Sequence, residues 1–406
     1  MKNLIHLDEI SVLVSPFATQ AGYSEQMLCW GFERLAEQWH ETGILAFCRQ
    51  ELPELSEEQA LMLMSADLEL EKRCEILKTA GIGLRTKEED GQNLPSVMLV
   101  SASTVPSASF QDVILMLMLP VHVVQRPSSN LAPLFEALHG YVERHAPLLA
   151  QRWTVLPAYH DDEWMMAQLA KHDWINICGS DSTIAHYQSL LDRLDNALKP
   201  VLIPHGHRLS CVVLTAEDIR EMTETEWTNL ALDVSVWDQT GCLSPKCLFV
   251  ETPGIGDMDR LVGKLLPALD LVASALPEIP PSLSEMAAKN SALRMTQLDG
   301  ADVYRANVNH DAVIVWPADT PFTPVLLPRT LNVYAVSQFS DGICRLAPHG
   351  QALGTRKSLS FNIQNMAQAS GFNFFCILGQ MQNPPLSWLH DGVGTYAGMV
   401  CRKNLT

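Results

Sequence analysis

The sequence predicts an α/β protein built on parallel sheets, and three observations carry that expectation. From residue 96 to residue 276, short apolar or β-branched runs alternate with helix-length segments, the pattern of strands joined by crossover helices. The 406 residues exceed what one ordinary core holds, so two or three domains are expected. Hydrophobic residues make up 47% of the chain and charged residues 18%, which describes a well-buried globular protein rather than a disordered one.

The elements follow in order. Residues 1–95 are rich in helix formers of mixed charge. Within them, 55–77 reads as one or two amphipathic helices and 87–93 as an exposed loop. The run 96–100 is apolar and ends in small polar residues. Residues 110–119 read as a buried helix, and 121–124 as a β-branched strand that stops at Arg126-Pro127. Helix 131–149, strand 153–156, helix 161–171, strand 174–177, helix 182–191 and strand 201–203 complete a first alternating series. A second begins near His207: strand 209–214, helix 216–231 with Thr215 as N-cap, strand 247–250 and helix 257–276. Pro277, Pro280 and Pro281 mark a rigid boundary. Beyond it, 303–308, 312–316 and 332–336 read as strands. No internal repeat or low-complexity tract is present.

Composition excludes several function classes. A formal charge of −18 disfavours nucleic acid, whose phosphates need basic patches, and anionic membrane surfaces. The first residues carry no uninterrupted apolar core of a signal peptide. The longest greasy stretch, 113–124, is broken by Pro120 and His122 and falls short of the ~20 residues that span a bilayer. A cytoplasmic protein is expected. The ten cysteines include no C-x-x-C pair, and in a reducing compartment they are thiols, most of them in the core. His205-x-His207 has no third ligand at a metal spacing, so no metal is expected.

Ligands of an open parallel sheet sit beyond the carboxyl ends of its strands. Four loops stand there: 101–106, 125–129, 178–182 and 204–208. No G-x-G-x-x-G is present, and Gly254 with Gly256 is only a pair of glycines. The segment Asp238-Gln239-Thr240-Gly241-Cys242-Leu243-Ser244-Pro245 says most about chemistry. Gly241 clears the approach to the sulfur and tolerates unusual backbone angles. Pro245 keeps a helix from starting too early. These features predict a thiol on a strand-to-helix turn, with nearby N–H groups for an oxyanion. The bland alternative is a core cysteine.

In this order the segments resemble the aldehyde dehydrogenase superfamily, and within it the acyl-CoA reductases related to the fatty acid reductase subunit of bacterial bioluminescence. The resemblance rests on Ala102 to Pro106 with Val121 to Ser129, on Gly179-Ser180-Asp181-Ser182-Thr183, on Gly206-His207-Arg208-Leu209-Ser210 with the Cys242 segment, and on Met381 to Gly392. It implies a Rossmann-type cofactor domain plus an α/β catalytic domain. The expected boundaries are 1–206 for the N-terminal helices and nucleotide-binding domain, 207–380 for the domain carrying Cys242, and 381–406 for a segment returning to the cofactor domain. Subunits that pair are also implied.

The resemblance further implies a reaction. Cys242 attacks the carbonyl of an acyl-CoA or acyl-protein, the acyl-cysteine takes hydride from NADPH or NADH, and a fatty aldehyde leaves. His207 is the candidate base or thiolate partner. Thr104 stands where the superfamily carries an asparagine that donates to the oxyanion, and its hydroxyl has a shorter reach. Arg126 stands where a lysine is usual near the adenosine ribose, and its fork favours a ribose phosphate, hence NADPH. Ser128, Gly179 and Ser180 are the other cofactor contacts, with Gly179 and Ser180 opening a helix toward the pyrophosphate and Asp181 as its N-cap. Gln380 and Ser387 replace the more usual Arg and Asp of the C-terminal signature. An acyl-activating synthetase is the implied partner. A non-reducing acyl-transfer or scaffold subunit and a cysteine thioesterase stay open as alternatives.

Overall fold

The computed structural model describes residues 7–86, 94–102, 104–157, 161–195, 199–318 and 320–402. The loop expected at 87–93 lies outside them. Among the described residues the strands are, in chain order, β1 Ile82–Leu84, β2 Ser96–Val100, β3 His122–Arg126, β4 Trp153–Val155, β5 Trp174–Cys178, β6 Val201–His205, β7 Leu209–Thr215, β8 Pro245–Glu251, β9 Asp302–Arg305, β10 Ala312–Val315, β11 Thr330–Val336, β12 Gly350–Thr355, β13 Phe374–Ile377 and β14 Val400–Arg402. The chain divides into two compact units, Met1–His207 with Pro385–Thr406, and Arg208–Pro384.

In the first unit five parallel strands lie in the order β4-β3-β2-β5-β6. Parallel neighbours need crossovers, and helices Pro106–Met118, Ala132–His145, Asp162–Leu169 and Asp181–Asp192 supply them. Helices on both faces explain why β2 is a continuous apolar run: Val97, Met98, Leu99 and Val100 are all buried. The chain starts at central β2, steps outward to β4, then crosses back to lay β5 on the other side of β2. That reversal leaves a crevice between the carboxyl ends of β2 and β5. Val100 is level with both Arg126 and Ile177, so the loops after β2, β3 and β5 leave from one edge.

The amphipathic stretch at 55–77 is two helices, Glu57–Leu63 and Leu70–Thr79. Ser56 and Gln59 form a capping box at the first. Arg73 is fully buried on the second and donates to the carbonyls of Leu63, Ser65, Leu68 and Met118. Arg152 likewise donates to Leu117, Leu119 and Val121. Two buried cations thus satisfy carbonyls at the end of helix Pro106–Met118. Burial pushes Arg73 down to about 9 and Arg152 down to about 10. The returning C-terminal segment pairs β14 antiparallel with β1. Glu51 accepts the N–H groups of Thr395 and Tyr396 at 3.1 and 3.0 Å, and the Tyr396 hydroxyl donates to Leu115 at 2.6 Å.

The second unit holds a seven-stranded sheet in the order β13-β12-β7-β8-β11-β10-β9, parallel except for β9 at its edge. Its core includes Cys211, Cys247, Phe249, Ile314, Tyr334 and Leu353. The helix expected at 216–231 is two, Ala216–Glu221 and Glu224–Ser235, because Thr223 and Glu226 form a second capping box. The three prolines do not end this unit. Helix Leu283–Leu298 follows them, and β9 to β13 complete the same sheet. Strands β12 and β13 were not expected. Gly350 and Gly354 disguise β12, yet a Cβ at Gly350 would meet Phe372 at 2.4 Å and one at Gly354 would meet Met381 at 2.7 Å. Packing, not turn geometry, requires those glycines. Among the described residues no helix is long and apolar enough to cross a membrane.

Candidate active site

The apolar run before Gly241 is helix, not strand. The chain arrives from helix Glu224–Ser235 through the 3-10 segment Val236–Gln239 and leaves as β8. Cys242 therefore lies on a helix-to-strand turn, which corrects the expected strand-to-helix placement. Pro245 is the first residue of β8 and guards no helix. The apolar residues at 227, 230, 231 and 234 recur at helical spacing and are all buried, which decides the element.

Three consecutive residues in the turn are left-handed: Trp237 (φ 57°), Asp238 (φ 49°) and Gln239 (φ 60°). Each costs roughly 1–2 kcal/mol for a residue with a Cβ, so the surroundings must over-determine the shape. They do. The Thr240 hydroxyl donates to Trp237 O at 2.6 Å. Fully buried Arg329 donates from Nε to Asp238 Oδ1 at 2.7 Å. Gln239 Nε2 donates to Pro245 O at 2.7 Å while Gln239 Oε1 accepts the Thr330 N–H. Lys246 Nζ reaches back to Gln239 O. The Ser210 hydroxyl donates to Cys242 O at 2.6 Å and accepts the Ala352 N–H at 3.1 Å, which ties the cysteine's peptide to β7 and β12.

The C-terminal signature begins against this turn. The Asp233 carboxyl group accepts the N–H groups of Gly379 and Met381 at 2.6 and 3.0 Å. Gln382 Nε2 donates to Asp233 O and Ser244 Oγ, each at 3.1 Å. Burial pushes the Asp233 carboxyl up to about 8, against the pull of those two N–H groups. Cys242 is partly exposed, whereas Cys211 and Cys247 are fully buried. Burial raises both of those thiols, so they stay protonated and inert. None of the ten cysteines is in a disulfide.

In the first unit the predicted cofactor residues gather at the carboxyl edge of the sheet. Thr104 is partly buried two residues before helix Pro106–Met118, and its carbonyl accepts the Tyr23 hydroxyl at 2.7 Å. Arg126 ends β3, and its carbonyl accepts the Ser101 N–H at 3.1 Å. The Ser128 hydroxyl donates to Asn130 at 2.7 Å. Gly179 N–H donates to His205 O at 3.1 Å, and a Cβ there would meet Thr183 at 3.2 Å. Ser180, not Asp181, is the N-cap of helix Asp181–Asp192, accepting the Thr183 N–H at 3.2 Å. Asp181 instead accepts the N–H of exposed His207 at 3.0 Å, because its side chain turns off the helix toward the end of β6. A crevice at the strand-order reversal, a helix start at Gly179 where a Cβ would crowd Thr183, and an arginine at the end of β3 fit a dinucleotide. The pair Gly254 and Gly256 is spoken for: Asp257 Oδ2 accepts the Gly254 N–H at 2.7 Å and pairs with Arg220.

The third donor absent from the sequence spacing comes from the C-terminal segment. Buried His205 shares a hydrogen bond through Nδ1 with Asp391 Oδ2 at 2.9 Å, and its ring stacks on His390 at 4.3 Å with 10° between planes. His205, His390 and Asp391 bring three donor atoms within 4.8 Å of one another. A metal takes the lone pair in the plane of an imidazole, and two rings stacked face to face do not aim their lone pairs at one point. The arrangement as it stands is a stacked, carboxylate-bonded histidine pair that pins the returning segment to β6.

A family model described as acyl-CoA reductase (LuxC) matches residues 89–402. The chain belongs to that family. Its members are thereby described as oxidoreductases acting on acyl-CoA, and the match spans both the crevice loops and Cys242. Among solved structures the fold is that of aldehyde dehydrogenases. An NAD-dependent aldehyde dehydrogenase from Sinorhizobium meliloti superposes with a TM-score of 0.61 at 13% identity, covering 93% of this chain and 73% of that one. A Burkholderia cenocepacia protein assigned as an aldehyde dehydrogenase gives 0.66 at 13% identity, covering 99% and 86%. Proline utilization A from Bradyrhizobium japonicum gives 0.56 at 13% identity, and this chain spans only 41% of it. No curated protein sequence matches the chain.

Sequence reasoning quoted Ser210 and Gln239 within its motif segments without a role of their own, and it missed Lys246 and Arg329 around the turn. Lys246 left one signal, a lone cation at the start of an otherwise apolar strand. Arg329 left none, since its partners are 91 and 18 residues away.

Proposed function

We propose that the chain reduces an acyl thioester to an aldehyde through an acyl-enzyme on Cys242, with NADPH as the reductant. The observation that carries this is the partly exposed Cys242 on a turn held in three successive left-handed residues by buried side chains, within the span matched to the acyl-CoA reductase family. Strain of that kind persists where the geometry of one group matters.

The Cys242 thiolate adds to the thioester carbonyl, the oxyanion takes the Cys242 N–H, and CoA leaves as its thiolate, so one thioester replaces another. His207 takes the thiol proton and Thr104 supplies a second hydroxyl donor in this reading. Arg126, Ser128, Gly179 and Ser180 hold the dinucleotide, the arginine fork gripping a ribose phosphate and the helix start meeting the pyrophosphate. A reduced nicotinamide, when bound, supplies hydride to the acyl carbon. The turn's bonds keep the acyl-sulfur in place, and release of aldehyde returns the thiolate. An acyl-activating synthetase that delivers the acyl group is the expected partner, and a homo-oligomer the expected assembly.

Mass spectrometry of the protein after incubation with acyl-CoAs, with and without NADPH, tests the proposal. Acyl mass on the Cys242 peptide, its loss as aldehyde on adding NADPH, and no acylation of Cys242→Ala are expected. Free acid without NADPH consumption indicates a thioesterase. Acyl-enzyme stable to NADPH and NADH indicates a transfer or scaffold subunit. Either result overturns the proposal.

A further inference from the structure

The loop 239–246 is closed by two reciprocal bonds between its ends. The Gln239 side chain donates to Pro245 O, and the Lys246 ammonium donates to Gln239 O. Cys242 stands inside that loop. Lys246 is partly buried at the start of β8, and among the described residues its charge interacts with the thiols of Cys247 and Cys242. Cys247 faces the core, and its thiol is held far above its ordinary range by burial. Of these two thiols, Cys242 is the partly exposed one, and it stands on the loop that the ammonium closes. Asp238, the nearest acid in the turn, is engaged by Arg329, with Glu278 and Lys289 beyond it.

We infer that Lys246 is a positioning residue that holds Cys242 as a thiolate, its ammonium fixed by Gln239 O so that the charge stays on the loop that carries the sulfur. The step concerned is ionisation: the S–H bond breaks, the pair stays on sulfur, and the proton leaves to the base or to water. A fixed cation near a thiol favours the charged product. Burial pushes Lys246 down to about 8, so it still carries its proton at neutral pH and loses it as the pH rises further. The role is separate from that of a proton acceptor such as His207. The inference rests on Cys242 being the nucleophile of the proposed function.

The test is the rate of iodoacetamide alkylation at the Cys242 peptide against pH, in the full chain and in Lys246→Gln and Lys246→Arg, with matched circular dichroism. An ordinary thiol titrates near ~8.5. The wild-type midpoint is expected below that. In Lys246→Gln it moves up by about one unit and the rate at pH 7 falls roughly tenfold, while Lys246→Arg keeps the lower midpoint. Superimposable profiles for wild type and Lys246→Gln overturn the inference. So does a slower rate with an unmoved midpoint in both variants, which marks a loop clamp alone. Acylation by acyl-CoA is measured in parallel. A shifted midpoint without any acylation leaves the lysine's role standing and sinks the acyl-thioester reading, and normal acylation with no shift does the reverse.

Discussion

Replacing Arg329 by Met should expose how the Cys242 turn is held. Arg329 is itself left-handed (φ 49°) and fully buried. Its guanidinium faces Asp238 at 2.7 Å, Asp311 at 3.3 Å and Glu278 at 3.6 Å, and donates to Leu276 O at 3.2 Å. With charge centres ~4 Å apart and an effective dielectric of 20, each pair is worth about 4 kcal/mol before desolvation. The gross attraction is therefore about 12 kcal/mol, offset by several kcal/mol for each ion taken out of water. Methionine removes the attraction and leaves the desolvation of Asp311, which is only 1% exposed. Lys289 remains in electrostatic reach of Asp311 and Glu278, itself lowered to about 8 by burial. The expected loss is ~3–5 kcal/mol, as for other buried pairs broken from one side.

The pH dependence follows from Asp311, whose carboxyl burial already pushes up to about 6 from 3.8 despite Arg329. A folded value above the unfolded one favours folding below the unfolded value, and the advantage is lost as pH rises through the folded value. Without Arg329 the carboxyl rises further, so the variant's deficit is greatest at pH 8 and shrinks toward pH 5. Urea unfolding at both values measures it. The reasoning predicts a deficit at least ~1.4 kcal/mol smaller at pH 5, one unit of added shift. A deficit under ~1 kcal/mol at pH 8, or the same deficit at both values, would refute it.

Other outcomes follow from the same contacts. Gly342→Ala places a Cβ 2.5 Å from the Phe249 ring and should cost ~1–3 kcal/mol in urea melts, while Ala at Gly263, with nothing within 4 Å of its Cβ, should be neutral or stabilising. His205→Ala removes the bond to Asp391 and the stack on His390. Amide exchange at 389–393 should quicken tenfold or more, for a bond of ~1.5–3 kcal/mol to a charged group, and unchanged exchange would deny that the pair pins the segment. Asp233, raised to about 8 from 3.8, favours folding at low pH and loses that contribution as pH climbs through 8. The Tm gap between wild type and Asp233→Asn should therefore narrow from pH 5 to pH 9; an unchanged gap would show the carboxyl already ionised at pH 5.

Much of the first unit was legible from local pattern. Strands β2 to β6 alternate with helices of ten or so residues, and their apolar runs read as buried parallel strands. The second unit was harder past residue 281. Gly350 and Gly354 look like turn residues until Phe372 and Met381 occupy the space a side chain would need. The polarity of the Cys242 turn was misread for a similar reason. Gly241 and Pro245 bracket a turn in either direction, and only the helical spacing of residues 227 to 234 against the strand that follows tells which element comes first. Asp181 and Ser180 both qualify as caps in sequence, and the acid was drawn away by the His207 amide.

The chain's own order of residues determined an α/β architecture, four loops at the carboxyl ends of strands and one cysteine worth singling out, because periodicity, loop composition and motif spacing are local quantities. What surrounds that cysteine was decided by tertiary structure. Ser210, Arg329 and Gln382 come from distant parts of the chain, and left-handed Trp237, Asp238 and Gln239 are tenable only once those partners are in place. Strain and the buried charges that hold it are paid for by contacts many residues away, and no local pattern records them.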